Sequence, residues 1–203
     1  MIYLIFGLVG HILCGICDCL LSYSRKGRLD FKNIKDQKKM SEMFEDMPLG
    51  YPLVSVVLGT FAIMIFGFSY FYLASWMKPF SPASSLVMSI SALVFLVPIT
   101  THHVICGFVE WFYVRMGRTS EVRSAVFEFQ KKTGLTMIIG YLGLAIFLIT
   151  LFVNVVTGKT DLPQWACLFN TLPIMLILTP TKLPAKGNIA GALMYLGLLF
   201  FVG

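Results

Sequence analysis

The chain has 203 residues, of which 57% are hydrophobic and 13% charged, and its mean hydropathy is +0.81. A soluble domain carries about 25% charged residues, so this composition excludes an ordinary water-soluble globule and makes the bilayer the solvent. The net charge of +6 does not point to nucleic acid, because the basic residues follow the gaps between apolar segments instead of forming one binding patch.

A helix that crosses a bilayer needs about 20 apolar residues. Six segments approach that length: 2–22, 51–77, 87–114, 135–157, 164–181 and 187–203. The first has no charged n-region and no small-residue cleavage site before Tyr23, so it reads as an uncleaved span and not as a signal peptide. After it come Arg25, Lys26, Arg28, Lys32, Lys35, Lys38 and Lys39. Within this connection Met40, Met43, Phe44 and Met47 recur at helical spacing, which predicts an amphipathic helix on the membrane surface. Pro48-Leu49-Gly50 then breaks the chain ahead of span two.

The plan recurs after span three. Arg115, Arg118, Arg123, Lys131 and Lys132 fill the connection, and Val122, Ala125, Val126 and Phe129 form a second helical stripe that ends at Gly134. The third connection is shorter and proline-rich, with Lys182 and Lys186. All but Lys78 and Lys159 of the 16 lysines and arginines therefore lie in the odd-to-even connections. By the positive-inside rule those connections are cytoplasmic and both termini lie outside. The expectation is an all-α polytopic bundle of six transmembrane helices in one domain, 1–203. Its tandem two-helix hairpins cover about 1–77, 83–157 and 163–203, with amphipathic connections at about 24–47 and 118–133. A plasma or inner membrane location follows.

Two octets stand out within the apolar spans. The first is His11-Ile-Leu-Cys14-Gly15-Ile-Cys17-Asp18 and the second is His103-Val-Ile-Cys106-Gly107-Phe-Val-Glu110. The chain has three histidines, and two of them occupy this one position. His, Cys, Gly and an acid repeat in register, which points to an internal repeat. Imidazole and carboxyl groups inside a bilayer are costly, so each is a functional-site hypothesis by default. Within one helix the His and the acid are about 10 Å apart on nearly the same face. If spans one and three are parallel neighbours, His11 pairs with His103 in one layer and Asp18 with Glu110 in another. Two imidazoles are a start for a divalent transition-metal site. Stacked His and acid layers also suit a proton relay or a cation gate. Cys14, Cys106, His102 and Asn170 are supporting candidates.

The plainer reading makes the imidazoles carbonyl donors and lets Asp18 and Glu110 reach Arg25, Arg115 or Arg118 at the interface. Pro98 and Pro173 free backbone carbonyls in their spans. Trp76, Trp111 and Trp165 fit interfacial anchoring. Cys14-Gly-Ile-Cys17 matches C-x-x-C formally, and Ser55, Ser69, Ser89 and Ser91 lie in spans without a motif around them. Nucleotide loops, H-E-x-x-H and G-x-S-x-G are absent from the sequence.

Cys17-Asp18-Cys19-Leu20-Leu21, the basic connection that follows and the His102-His103 pair resemble an uncharacterised family of small bacterial six-helix integral membrane proteins. The resemblance implies membrane location and this topology, and carries no assigned activity. Intramembrane zinc hydrolases of the alkaline ceramidase type use an H-x-x-x-H pair across seven helices. That pair is missing here, so their function is not transferred. The leading expectation is a multi-pass protein whose His/carboxylate site binds or transports a small cationic or proton-coupled solute. The alternatives are an intramembrane metal-dependent enzyme acting on a lipid and a non-catalytic partner subunit. The expected partners are the bilayer and a small solute or lipid, with no nucleic acid. An oligomer is compatible with the sequence.

Overall fold

The computed structural model describes residues 1–30 and 35–202. Lys32 and the part of the first connection around it lie outside the described residues. The described residues are helical apart from loops and one short hairpin of two two-residue strands, Tyr23–Ser24 (β1) with Gly27–Arg28 (β2). The helices are α1 (Ile2–Ser22), α2 (Gln37–Met43), α3 (Gly50–Met77), α4 (Pro82–Arg115), α5 (Ser120–Thr133), α6 (Leu135–Val156), α7 (Thr171–Leu178) and α8 (Lys186–Val202).

Four stretches are long and apolar enough to cross a membrane: Ile2–Ser22, Gly50–Met77, Pro82–Arg115 and Ser120–Val156, the last joining α5 to α6. Their outer faces are inverted relative to a soluble protein. Leu86, Ile90, Leu93 and Val97 of α4 are exposed at successive turns, as are Leu142, Ile146, Ile149 and Val153 of α6. Apolar stripes at this spacing are the lipid-facing counterpart of an amphipathic helix.

The fifth predicted span departs from expectation. It is divided into a 3-10 helix, Gln164–Phe169, and the eight-residue α7. Hydropathy averaged over 164–181 cannot detect this, because Asn170 is the only polar break. Its side chain accepts from the Leu172 amide at 2.9 Å and caps α7. It also donates to the Leu148 carbonyl of α6 at 3.0 Å. Pro173 therefore falls in the first turn of a new helix, where a missing N–H costs little, and not in a kinked interior. The sixth predicted span forms as the 17-residue α8, so four full-length spans are seen among the described residues where six were expected.

The packing order is α8–α1–α3–α4–α6, with α7 against α8. Helix α3 separates α1 from α4 over most of their length. The three basic connections meet at one end of this row. Arg28 donates to the Lys182 carbonyl. Arg118 donates to the Ser41 carbonyl at 3.3 Å, Gln37 to the Arg118 carbonyl at 2.7 Å, and Arg123 to the Lys35 carbonyl at 2.9 Å. The start of α1 and the end of α8 lie at the other end, where Tyr3 stacks on Tyr72 and Phe201 packs on Trp165.

Each predicted amphipathic stretch contains a helix, although α2 ends at Met43 and Phe44 and Met47 follow it in a turn. Met40, Phe44 and Met47 bury themselves against Ile105, Val109 and Tyr113 at the lower end of α4, as does Val126 of α5. Thr119 caps α5, and Gly117 at φ +82° turns the chain into it. Phe129, expected in the stripe, is 46% exposed. Its neighbour Phe127 packs inward instead.

Close backbone approach holds the row together, as small residues permit between membrane helices. An added Cβ at Gly10 would stand 2.7 Å from the Phe66 nitrogen, and one at Gly143 would stand 2.6 Å from the Phe95 nitrogen. Gly10→Val and Gly143→Val should each destabilise the fold by about 1–3 kcal/mol, the range for overpacked cores. Gly15→Ala should be neutral, since its nearest neighbour would be at 3.5 Å. Thermal unfolding in detergent checks this: equal melting temperatures for all three variants would contradict the packing account.

Candidate functional site

Helices α1 and α4 are parallel, but their octets are not level. Gly107 lies beside the Leu21 side chain, and Asp18 Oδ1 lies 3.7 Å from His103 Nδ1. Helix α4 is thus displaced toward the basic end by about the length of one octet. The expected layers, His11 with His103 and Asp18 with Glu110, do not form. Three levels form instead, spaced by about 10 Å along the helices: His11, then Asp18 with His103, then Glu110.

At the first level His11 is 4% exposed. Its ring stacks on Phe66 with centroids 4.3 Å apart, and the α8 backbone at Gly191 presses on the ring so closely that a Cβ there would lie 2.5 Å from it. Its Nδ1–H donates to Asn188 Oδ1 at 2.9 Å, which leaves Nε2 to accept from the Tyr70 hydroxyl at 3.4 Å. The tautomer follows from Asn188, whose amide nitrogen is committed to Asp18 Oδ2 at 2.8 Å.

At the second level His103, 8% exposed, donates its Nε2–H to the Ser55 carbonyl at 3.0 Å. Nδ1, the lone-pair nitrogen of the neutral ring, is then turned toward Asp18. Gly59 makes room, for a Cβ there would overlap the imidazole. Ser55 Oγ is 3.3 Å from His103 Nε2, which completes a Ser–His–Asp sequence on paper. It is not a nucleophile arrangement. Ser55 is 0% exposed, does not line the cavity, and donates its hydroxyl to the Cys17 carbonyl at 3.0 Å. Ser55 is a clamp between α1, α3 and α4.

At the third level Glu110 is 9% exposed, and its Oε2 has no hydrogen-bond partner among the described residues. Neither acid meets Arg25, Arg115 or Arg118; Asp18 turns to His103 and Asn188 instead. The interfacial-snorkel alternative is therefore not what the side chains do.

All three levels open on one cavity of about 440 Å³. Helix α1 contributes His11, Cys14 and Asp18, and helix α4 contributes His102, His103, Cys106 and Glu110. Phe44 and Phe127 close its basic end. His102, which the helical wheel turned away from His103, also reaches this wall, 3.5 Å from Cys106 Sγ. Asn170 does not line it and serves the broken span. The five cysteines are free, and Cys17 is 0% exposed outside the cavity, so Cys14 and Cys17 are not a working pair.

Among the described residues, Cys14, Asp18 and His103 have ligand atoms all within 4.8 Å of one another. This set differs from the expected His11 and His103, because the offset of α4 carries His103 away from His11 and down to Asp18. Sequence reasoning missed Asn188, which joins His11 to Asp18 from α8. Its only signal was an amide at the edge of an apolar segment. Tyr70 and Tyr195 were also missed, because aromatics are too common in this chain to mark a site.

The class is clear at this point: an all-α bundle, with helices long and apolar enough to span a membrane, that buries a His/Cys/Asp cluster beside a cavity. The chain belongs to the family of unknown function DUF6796, which it matches over residues 1–201. No curated protein and no solved structure matches it.

Removing the Asn188 amide would strand both His11 Nδ1 and Asp18 Oδ2. Asn188→Leu should therefore lower stability by about 1–3 kcal/mol for each stranded group. Glu110→Gln should leave it unchanged, since no hydrogen bond is lost at Oε2. A melting comparison in detergent decides, and a larger loss for Glu110→Gln than for Asn188→Leu would overturn the assignment of partners.

Proposed function

We propose that this chain is a multi-pass protein of the plasma or inner membrane that binds and moves a small cationic or proton-coupled solute. The basic connections face the cytoplasm in this reading, and both termini lie outside. One observation carries the proposal: two acids, three histidines and two thiols from α1 and α4 share a cavity walled by apolar helices. A buried carboxyl with a free oxygen, such as Glu110, is a place for a positive charge or a proton in a low-dielectric interior.

The roles follow the three levels. Asp18 and His103 form the binding level, where one proton or one cation satisfies both. His11, joined to Asp18 through Asn188 and to Tyr70, is the proton carrier on the far side. Glu110 is the charge-compensating group at the cytoplasmic mouth, below which α2 and α5 form the cover. Transport is the leading reading on the strength of the two acids; the contacts inside the cavity between Cys106 Sγ and His102 Nε2 at 3.5 Å and between the Tyr70 hydroxyl and His11 Nε2 at 3.4 Å support a metal-dependent enzyme acting on a lipid as the alternative.

The test uses the full chain in liposomes with a trapped pH dye. Gradients of K⁺, Mg²⁺, Zn²⁺ and ethanolammonium are imposed in turn. At least one should drive a pH change with the wild-type protein. The double variant Asp18→Asn/Glu110→Gln should reduce that change at least tenfold while still reconstituting normally. A flux that survives the double substitution would remove the proposal's basis.

A further inference from the structure

We propose that Cys14, Asp18 and His103 are the protein ligands of a divalent transition-metal ion, with zinc the best fit. The proposal deepens the cation reading above and rests on it only for the sign of the charge.

Four observations carry it. The donor set is one thiol, one imidazole and one carboxylate, a combination that suits borderline and soft metals and does not suit calcium or magnesium, which take oxygen. The spacing fits. Ligand atoms around a tetrahedral zinc stand about 3.3–3.6 Å apart given ordinary bond lengths. Asp18 Oδ1 and His103 Nδ1 are 3.7 Å apart, close to that figure, and ligand atoms of Cys14, Asp18 and His103 all lie within 4.8 Å of one another, so a small inward shift would close the set on one ion. The supporting hydrogen bonds are those of a metal site. His103 donates Nε2–H to the Ser55 carbonyl at 3.0 Å, so Nδ1 is the nitrogen left to coordinate. Asp18 has Oδ2 held by Asn188 at 2.8 Å, which leaves Oδ1 for the metal. Last, Glu110 presents a nine-tenths buried carboxyl with an unpartnered oxygen to the same cavity, one octet below the three ligands.

Charge closes the argument. A thiolate and a carboxylate supply two negative charges, so a dication bound with a neutral imidazole gives a neutral centre, the cheapest state among apolar helices. Coordination takes the thiol proton from Cys14, so binding releases about one proton per metal. Three protein ligands leave a fourth position open toward the cavity, the arrangement of sites that exchange a bound group instead of locking it.

The test uses the full chain in detergent, stripped with a chelator. Cobalt(II) should bind at one per chain with a thiolate charge-transfer band. Zinc should displace it, while magnesium and calcium should not. Cys14→Ser should abolish the band and His103→Gln should weaken binding at least a hundredfold, whereas His103→Cys should keep it. Should Cys14→Ser fail to fold, the wild type still decides: zinc should slow maleimide labelling of Cys14 at least tenfold and leave Cys19 unchanged. Absence of a thiolate band in wild type, or zinc binding indifferent to both Cys14 and His103, overturns the proposal. If an ethanolammonium gradient drives the pH change while no metal binds, the metal assignment fails and the solute reading stands. If zinc binds as described without any flux, the metal assignment stands and transport fails.

Discussion

Asp18 is a carboxyl group on an apolar helix, and the surrounding structure is arranged so that this can be tolerated. One oxygen accepts from Asn188 on α8, and the other faces His103 on α4. Neither partner comes from its own helix. The desolvation of a carboxyl group in low dielectric costs several kcal/mol unless it is met by donors. The demand for partners therefore couples three helices at one depth. Asn188 can serve because α8 lies antiparallel along α1, with Gly191 against the His11 ring and Tyr195 against Gly7. His103 can serve because α4 is displaced by an octet, and because Gly59 of α3 gives the imidazole space to cross.

The glycines give this arrangement its geometry. In a bilayer no hydrophobic force draws helices together, since lipid tails are as apolar as leucine, so contact depends on close packing. Gly10 brings α1 onto α3, and Gly143 brings α6 onto α4. Polar side chains then fall within reach across the contacts. The inner row of the bundle is correspondingly aromatic: Phe66, Tyr70, Phe95 and Phe147 pack ring against ring beneath His11. Phe66, Tyr70 and Phe95 also line the cavity, so this aromatic row forms part of its wall.

Much of the fold was legible because its signals are local. The first four long helices are set by length and apolarity, and α5 by a 3.6-residue period that includes the buried Val126; α2 is shorter than its stripe, ending at Met43 before Phe44. The three basic connections grouped by charge also meet at one end. The break at Asn170 was not legible, because one amide in an apolar run leaves the hydropathy unchanged while its side chain takes over the backbone's hydrogen bonds. At the site, the octets named His11, Cys14, Asp18, His103, Cys106 and Glu110, and these residues line one cavity. Which of them touch was not legible. That depends on the axial offset between α1 and α4, set by packing through α3, and a sequence pattern carries no information about the relative height of two helices separated by a third. Asn188 was invisible for the same reason, since its importance comes from α8 docking on α1.

The offset also explains why two octets of matched sequence do different things. His11 has both ring nitrogens engaged, by Asn188 and Tyr70, and both faces covered, by Phe66 on one side and α8 on the other. His103 has one nitrogen engaged and the other aimed across a gap at an acid. Asp18 is held by one oxygen and free at the other; Glu110 has an oxygen with no partner at all. Among the octet imidazoles and carboxyls, satisfaction therefore falls from His11 to Glu110. Buried groups are normally paired, so a gradient of this kind marks where the protein's own atoms stop supplying partners. The middle level is the point where the deficit first appears and where thiol, carboxyl and imidazole converge. In the reading proposed above, a cation that accepts lone pairs from sulfur, oxygen and nitrogen would complete that level.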